Sequence, residues 1–304
     1  MEKQLKIILV PVDFKEPSIR AFKYAVNLSK KLHSKVLLLH IIQTPGILAD
    51  FFKGKEEMVQ LTNSAKDRLT RLLDLLDDET LKNDVSTRVV LGKPYQKIIE
   101  VAKEVHARMV ILGENHQSND INQEIGSTVY HVTLKSPSPV LTFKGNVENM
   151  NSSIVVPIDL TREMRQQLFS ALSYGLNYNS KIHLVSSLIG GIKMRESRIY
   201  KKLKRAKQTL TENGVECTLK LFPRSDVPPF RKVIEYAEEI NAGMILIMTH
   251  EEGYTYDNYI GAFAHHIINK SSIPVLSLTS TATNIDFEGV FKGFIDPAGI
   301  MLKK

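Results

Sequence analysis

Lys6–Asp13 reads KIILVPVD, and Ser153–Asp159 reads SIVVPID. Both are apolar runs of strand length that stop at Pro-x-Asp, and unbroken Val/Ile/Leu runs of this kind read as strands buried on both faces. Further along, Met109–Gly113 (MVILG) leads through a polar loop to Gly126-Ser127, a helical stretch, and Ser138-Pro139-Val140-Leu141. Met244–Met248 (MILIM) leads in the same way to Gly261-Ala262, a helical stretch, and Ile273-Pro274-Val275-Leu276. Pro11, Asp13 and Ser34-Lys35 map onto Pro157, Asp159 and Ser180-Lys181 at one offset of 146. Ile98-Ile99, Ala102, Gly126 and Pro139 map onto Val233-Ile234, Ala237, Gly261 and Pro274 at 135, so the second copy is 11 residues shorter in its middle. A period this long means two copies of a domain, not a solenoid of small units.

Within the first copy, strand and helix signals alternate. Strands are expected at Lys6–Val12, Lys35–Ile42, Val85–Leu91, Met109–Gly113 and Val140–Phe143. Helices are expected at Pro17–Leu32, Glu57–Leu76, Tyr95–Val105 and from Gly126 onward. The second of these carries Met58, Leu61, Ala65, Leu69, Leu72, Leu73 and Leu76 at helical spacing. Such alternation builds a parallel sheet covered on both faces, with right-handed crossovers. Ligands of such sheets bind beyond the carboxyl ends of the strands, where strand order reverses. Asp13, Gly113 and the Glu114–Ile125 loop all fall at those ends and are expected to share one crevice.

The chain's 304 residues fit about two domains. The expected division is residues 1–146, residues 152–282 and a C-terminal tail at 283–304, with the polar stretch Gly145–Ser152 as linker. No apolar run reaches the length of a membrane span, and the chain enters its first strand without a leader pattern. A single cysteine, Cys217, rules out an intrachain disulfide and reads as a small buried hydrophobe. These features point to a reducing cytoplasm. The net charge is +7, and eight of the fifteen residues in Lys193–Lys207 are Lys or Arg. Ile192, Ile199, Leu203, Ala206 and Leu210 form an apolar stripe there, so the stretch reads first as a solvated helix face. The alternative is an electrostatic surface for an acidic partner, nucleic acid or lipid head groups. No motif for specific nucleic-acid binding accompanies it.

From residue chemistry, three features of the first copy suit a nucleotide. Gly113 ends a strand and permits close approach. Gly126-Ser127-Thr128 opens a helix whose free amides attract an anion, and its hydroxyls add donors. Asp13 is placed to accept from an adenine amino group or a ribose hydroxyl, or else to cap the turn that follows.

Taken together, the Val10-Pro11-Val12-Asp13 strand end, Leu39-His40-Ile41, the spaced glycines and the closing Pro139-Val140-Leu141 resemble a tandem universal stress protein. The resemblance covers residues ~5–143 and ~152–279. It implies two flavodoxin-like, Rossmann-like α/β domains, each a five-stranded parallel sheet in the order 3-2-1-4-5 with helices on both faces. It also implies an internal pseudo-dimer paired through the fifth strands, and allows a homodimer. For ATP-binding members it implies adenine contacts from the first-strand Asp and the residue after the second-strand His. Ribose and phosphates go to the glycine loop and helix start. By position these are Val12, Asp13, Ile41, Gly113, Asn115, Gly126, Ser127 and Thr128, with magnesium if a triphosphate binds. The second glycine of the family's loop is His116 here, which either occludes the site or, protonated, donates to a phosphate. The loop holds Glu114, Asp120 and Glu124 and no Lys or Arg, which weakens triphosphate binding.

In the second copy Asp159 and Gly261 remain, but Met248 and Glu251 stand at the two glycines, and Ala262 replaces the hydroxyl residue. That copy is expected not to bind ATP. Tyr254, Tyr256 and Tyr259 either pack over the crevice or serve a small apolar ligand or a partner. His265-His266 face different ways on a helix, and no Cys/His spacing suits zinc. No Walker A sequence, Gly-x-Ser-x-Gly elbow or catalytic base stands out, so any ATPase activity is expected to be slow and regulatory. The expectation is a cytoplasmic stress-response regulator with weak adenine-nucleotide binding in the first domain. The alternatives are a scaffold that binds no nucleotide and a binder of a small apolar ligand.

Overall fold

A computed structural model describes residues 6–43, 55–76, 79–114, 126–144, 150, 152–158, 164–188, 197–249, 251–252 and 259–279. The chain divides into two compact units, Met1–Lys144 and Gly145–Lys304. The tail expected at 283–304 and most of the polar linker lie outside the described residues.

In unit 1 the elements run β1 (Lys6–Pro11), α1 (Glu16–Leu32), β2 (Ser34–Ile42), α2 (Lys55–Leu73), α3 (Glu79–Asn83), β3 (Val85–Leu91), α4 (Pro94–Glu104), β4 (Met109–Gly113), α5 (Ser127–Lys135) and β5 (Val140–Phe143). The strand order is β3-β2-β1-β4-β5, all parallel, as expected. β1 pairs with β2 along its whole length, from Lys6↔Ser34 to Pro11↔Leu39. Its pairing with β4 covers only Ile8↔Met109 and Leu9↔Val110. The two central strands therefore diverge toward their carboxyl ends, which opens the crevice at the reversal of strand order. Ile8, Leu9, Val10, Val110 and Ile111 are completely buried, because helices cover both faces of the sheet.

Local chemistry explains the helices. α1 has Pro17 in its first turn, Glu16 at its positive end and Lys30-Lys31 at its negative end, and stops at His33 in the left-handed conformation (φ 46°). Pro94 likewise starts α4. The long helix α2 ends at Leu73, three residues before the expected Leu76. The N–H groups of Leu75 and Leu76 bond to the carbonyls of Leu72 and Leu73, a tightened last turn that still buries Leu76. The one-turn helix α3 had no counterpart in the sequence expectations.

Unit 2 repeats the plan: β6 (Ser153–Pro157), α6 (Met164–Tyr178), β7 (Lys181–Ser187), α7 (Arg198–Glu212), β8 (Cys217–Phe222), α8 (Pro229–Glu239), β9 (Met244–Thr249), a short antiparallel pair β10 (Glu251–Glu252) and β11 (Tyr259–Ile260), α9 (Ala262–Lys270) and β12 (Val275–Thr279). Its order is β12-β9-β6-β7-β8, the same topology as unit 1. Ile199, Leu203, Ala206 and Leu210 are buried along α7, as the apolar stripe predicts. The sequence pattern does not predict the antiparallel pair, which lies in the loop equivalent to Glu114–Ile125 of unit 1.

Cys217 is buried in β8. Burial pushes its thiol up to about 11, so the reactive thiolate is scarce. In the folded protein at pH 8 its reaction with an aromatic disulfide reagent is expected to be about a hundredfold slower than in the urea-unfolded chain. Equal rates would contradict the burial.

Candidate functional site

The site is built from the carboxyl edge of unit 1. β1 exits at Pro11, and Val12 follows, buried, with its N–H donating to the Leu39 carbonyl. His40 Nδ1 lies 2.8 Å from the Val12 carbonyl and donates to it. That bond leaves the proton on Nδ1 and Nε2 free as an acceptor in the neutral ring. Ile41, next along β2, is half-buried and pairs with Val90.

Asp13 is exposed, yet its carboxylate is already employed. Oδ1 accepts from the Lys15 N–H at 3.0 Å and from the Ser18 hydroxyl at 2.8 Å. The Lys15 ammonium lies 3.8 Å from Oδ2. The local capping reading of Asp13 is thus realised: it ties the β1 exit to the first turn of α1. Ser18 is a site residue that motif reading passed over. Its signal was the Asp-x4-Ser spacing across a strand-to-helix turn.

Phe14 adopts φ +63°, a conformation uncommon for a bulky residue. Its ring centroid is 4.4 Å from that of His40, and the Arg68 guanidinium from α2 stands 3.9 Å over the same ring. Packing on both neighbours holds a backbone conformation that costs about 1–3 kcal/mol by itself. Such outliers collect at functional edges. At the positions equivalent to Phe14 and His40, the second copy has Leu160 and Ser186.

Gly113 owes its identity to packing. A Cβ there would lie 1.9 Å from the Pro17 carbonyl oxygen and 2.9 Å from the Ser18 nitrogen. The start of α1 therefore rests directly on the end of β4, and Gly113, Ser18 and Asp13 form one contiguous group. This is a different reason for the glycine than ligand approach.

Gly126 behaves differently. A Cβ at Gly126 meets nothing within 4 Å. It is exposed and occupies the N-cap of α5 without a side-chain cap. Ser127, the first helical residue, is exposed, and Thr128 is half-buried. Among the described residues no side chain caps the first amides of α5, and the positive end of the helix dipole lies behind them. α5 runs back from the exit of β4 to the entry of β5, so its start stands at the same edge as Asp13 and Gly113. Asn115 and His116, with the rest of the loop at 115–125, lie outside the described residues.

The structure adds a cation that the loop lacks. Lys144, just past β5, puts its ammonium 3.6 Å from Glu114 Oε2, and the two side chains are 6% and 13% exposed. Burial lowers the Lys144 pKa, with Glu114 opposing the shift. The pair closes β4 against β5 beside Gly113. At the equivalent places unit 2 has Thr249 and Thr279, both buried.

Unit 2 differs at the equivalent edge. Met248, buried, stands at the Gly113 position. The Gln167 amide donates to the carbonyls of Pro157 (2.8 Å) and Leu246 (3.0 Å). It bridges β6 and β9 where they diverge, at a position equivalent to Ala21 of unit 1. Gly261 is buried, unlike Gly126, and Ala262 supplies no hydroxyl. Asp159, Tyr254, Tyr256 and the side chains of Glu251 and Tyr259 lie outside the described residues. The rings of His265 and His266 cross at 72° with centroids 5.8 Å apart. His266 stacks on Phe230 at 4.4 Å, and burial lowers its pKa. Among the described residues no group of three or more His, Cys, Asp or Glu converges on a metal-sized site. No described helix is long and apolar enough to cross a membrane.

Residues 4–144 match the sequence profile of the Universal stress protein family. Universal stress protein MJ0577 of Methanocaldococcus jannaschii is 28% identical to this chain, over 47% of this chain and 98% of that protein. The crystal structure of a universal stress protein from Archaeoglobus fulgidus superposes with a TM-score of 0.75 at 18% identity, covering 91% of this chain and 99% of that one. A functionally unknown Pseudomonas aeruginosa protein, PA1789, superposes at 0.60 with 16% identity. At those identities the two superpositions speak to the fold alone. Residues 4–144, with their Pro-Val-Asp strand end and Gly-Ser helix start, thus form a domain of the universal stress protein family.

Proposed function

We propose that residues 1–146 form a domain that binds an adenine nucleotide weakly, and that residues 152–282 form a second domain serving structure or partner contacts. The protein would act as a stress-response regulator. The observation that carries this reading is the uncapped start of α5, where Gly126 faces open space at the edge shared with Asp13. Phosphate oxygens suit the free amides and the Ser127 and Thr128 hydroxyls. The base would lie toward Val12, Asp13 and Ile41. A triphosphate would bring magnesium, and the chain's own share is to orient the phosphates. Asn115 and His116 would border them.

Two features keep the expected affinity low. Asp13 must share its carboxylate with Lys15 and Ser18, and Lys144 is held by Glu114. Unit 2, with Gln167 across its diverging strands and Met248 in place of glycine, would take no nucleotide.

Calorimetry with ATP is expected to give one site per chain in the range of ten to a few hundred micromolar, about 5–7 kcal/mol of binding. Ser127→Ala should weaken it about fivefold, a neutral-donor hydrogen bond. Asp13→Asn keeps an oxygen for Lys15 and Ser18 and tests the charge alone. No heat of binding up to millimolar ATP would reject the nucleotide reading and favour a scaffold.

A further inference from the structure

We propose that the exposed face of α7 is a docking surface for the phosphate backbone of duplex nucleic acid, bound without regard to sequence. α7 spends its apolar residues Ile199, Leu203, Ala206 and Leu210 against β7 and β8. That fixes the opposite face in solvent. On it Arg198, Lys201, Lys204 and Arg205 are exposed, flanked by the half-exposed Lys202 and Lys207. Among the described residues, none of the four exposed heads has an ion-pair partner. The helix contains a single acidic residue, Glu212, at its last position, and Glu212 accepts from Gln208.

The charge placement works against the helix itself. The first turn has no acidic residue, and Arg198 and Lys201 sit at the positive end of its dipole. Lys201 has like charges three and four residues on, at Lys204 and Arg205, which repel on a helix surface. The helix slot does not demand this. α2 fills the same slot in unit 1, with Glu56 and Glu57 in its first turn and mixed signs at Lys66, Asp67, Arg68 and Arg71. An anionic partner would relieve this repulsion.

The surface also selects the kind of anion. None of the large exposed hydrophobic side chains of the described residues lies on α7. A membrane would find nothing to insert, and a protein partner no apolar anchor. What remains is a repeated charge. Arg198 to Arg205 spans about 10 Å of helix, a length over which duplex DNA presents about six phosphates.

The test uses the full chain and a fluorescein-labelled 20-base-pair duplex of arbitrary sequence, followed by anisotropy against salt. Four phosphate contacts predict a log–log salt slope of about −3.6, close to a hundredfold loss of affinity from 50 to 200 mM salt. The variant K201Q/K204Q/R205Q, which keeps good helix formers, should weaken binding at 50 mM salt more than tenfold and flatten the slope by about three. K66Q/R71Q on α2 should leave both unchanged, and circular dichroism verifies that each variant is folded. Absence of binding at 50 mM salt, or equal weakening by both variants, would overturn the proposal. So would α7-dependent binding to anionic phosphatidylserine vesicles with none to the duplex. ATP enters none of these measurements, so the result is independent of the nucleotide site.

Discussion

Gly113→Ala is expected to destabilise unit 1 by about 3 kcal/mol or more. The added methyl would overlap the Pro17 carbonyl, whose oxygen and carbon lie 1.9 and 2.3 Å from the new atom. Both belong to backbone, so no side-chain rotation relieves the clash. α1 must lift from β4, and that movement uncovers Phe22 and Ala25, both completely buried. The Ser18–Asp13 bond would move with the helix start. Gly126→Ala is the internal control. Its methyl meets nothing, the backbone angles (φ −58°, ψ 138°) suit any residue, and stability should change by less than about 0.5 kcal/mol. Hydrogen exchange read by mass spectrometry gives the local result. In Gly113→Ala, protection should fall in β1, α1 and β4 and persist in β9. Unchanged protection in α1 would mean that the helix does not rest on this glycine.

Lys144→Met should cost about 3 kcal/mol, because it strands the Glu114 carboxylate in a nearly water-free position. Among the described residues Glu114 Oε2 is buried without a hydrogen-bond partner, and the ammonium 3.6 Å away compensates its charge. Lys144→Met/Glu114→Gln removes both charges and should return to within about 1 kcal/mol of the native chain, since burying the pair gains little over neutral packing. The pH dependence carries its own sign. Burial holds the Lys144 pKa below 10.5, so the unfolded chain binds the proton more tightly. Stability from this group therefore rises with pH between the lowered value and 10.5, and falls as pH drops through that window. Lys144→Met should abolish that rise. A single variant no less stable than the double would refute the pairing.

Much of the architecture was legible because it rests on local periodicity. Strands of Val, Ile and Leu, helices with apolar stripes, and breaks at Gly92-Lys93-Pro94 each carry their signal within a few residues. The internal repeat multiplied that signal. The helix end at Leu73 was misplaced because a tightened turn still buries Leu76, and the apolar period continues past the regular hydrogen bonds. The site was less legible. The motif brought Asp13, Gly113 and Gly126-Ser127 to one edge. It could not say that Asp13 is engaged by Ser18, or that Phe14 is held by His40 and Arg68.

By itself, then, the chain's chemistry determined two α/β units of one topology and the sheet edge that gathers Asp13, Gly113 and Gly126. Both follow from hydrophobic pattern and strand order. Only the tertiary structure decided why particular residues stand at that edge. Gly113 meets the backbone of another element, Lys144 meets Glu114 thirty positions away in sequence, and Gln167 meets two carbonyls on diverging strands. Such contacts depend on the register between elements, and no local pattern encodes a distance across a sheet.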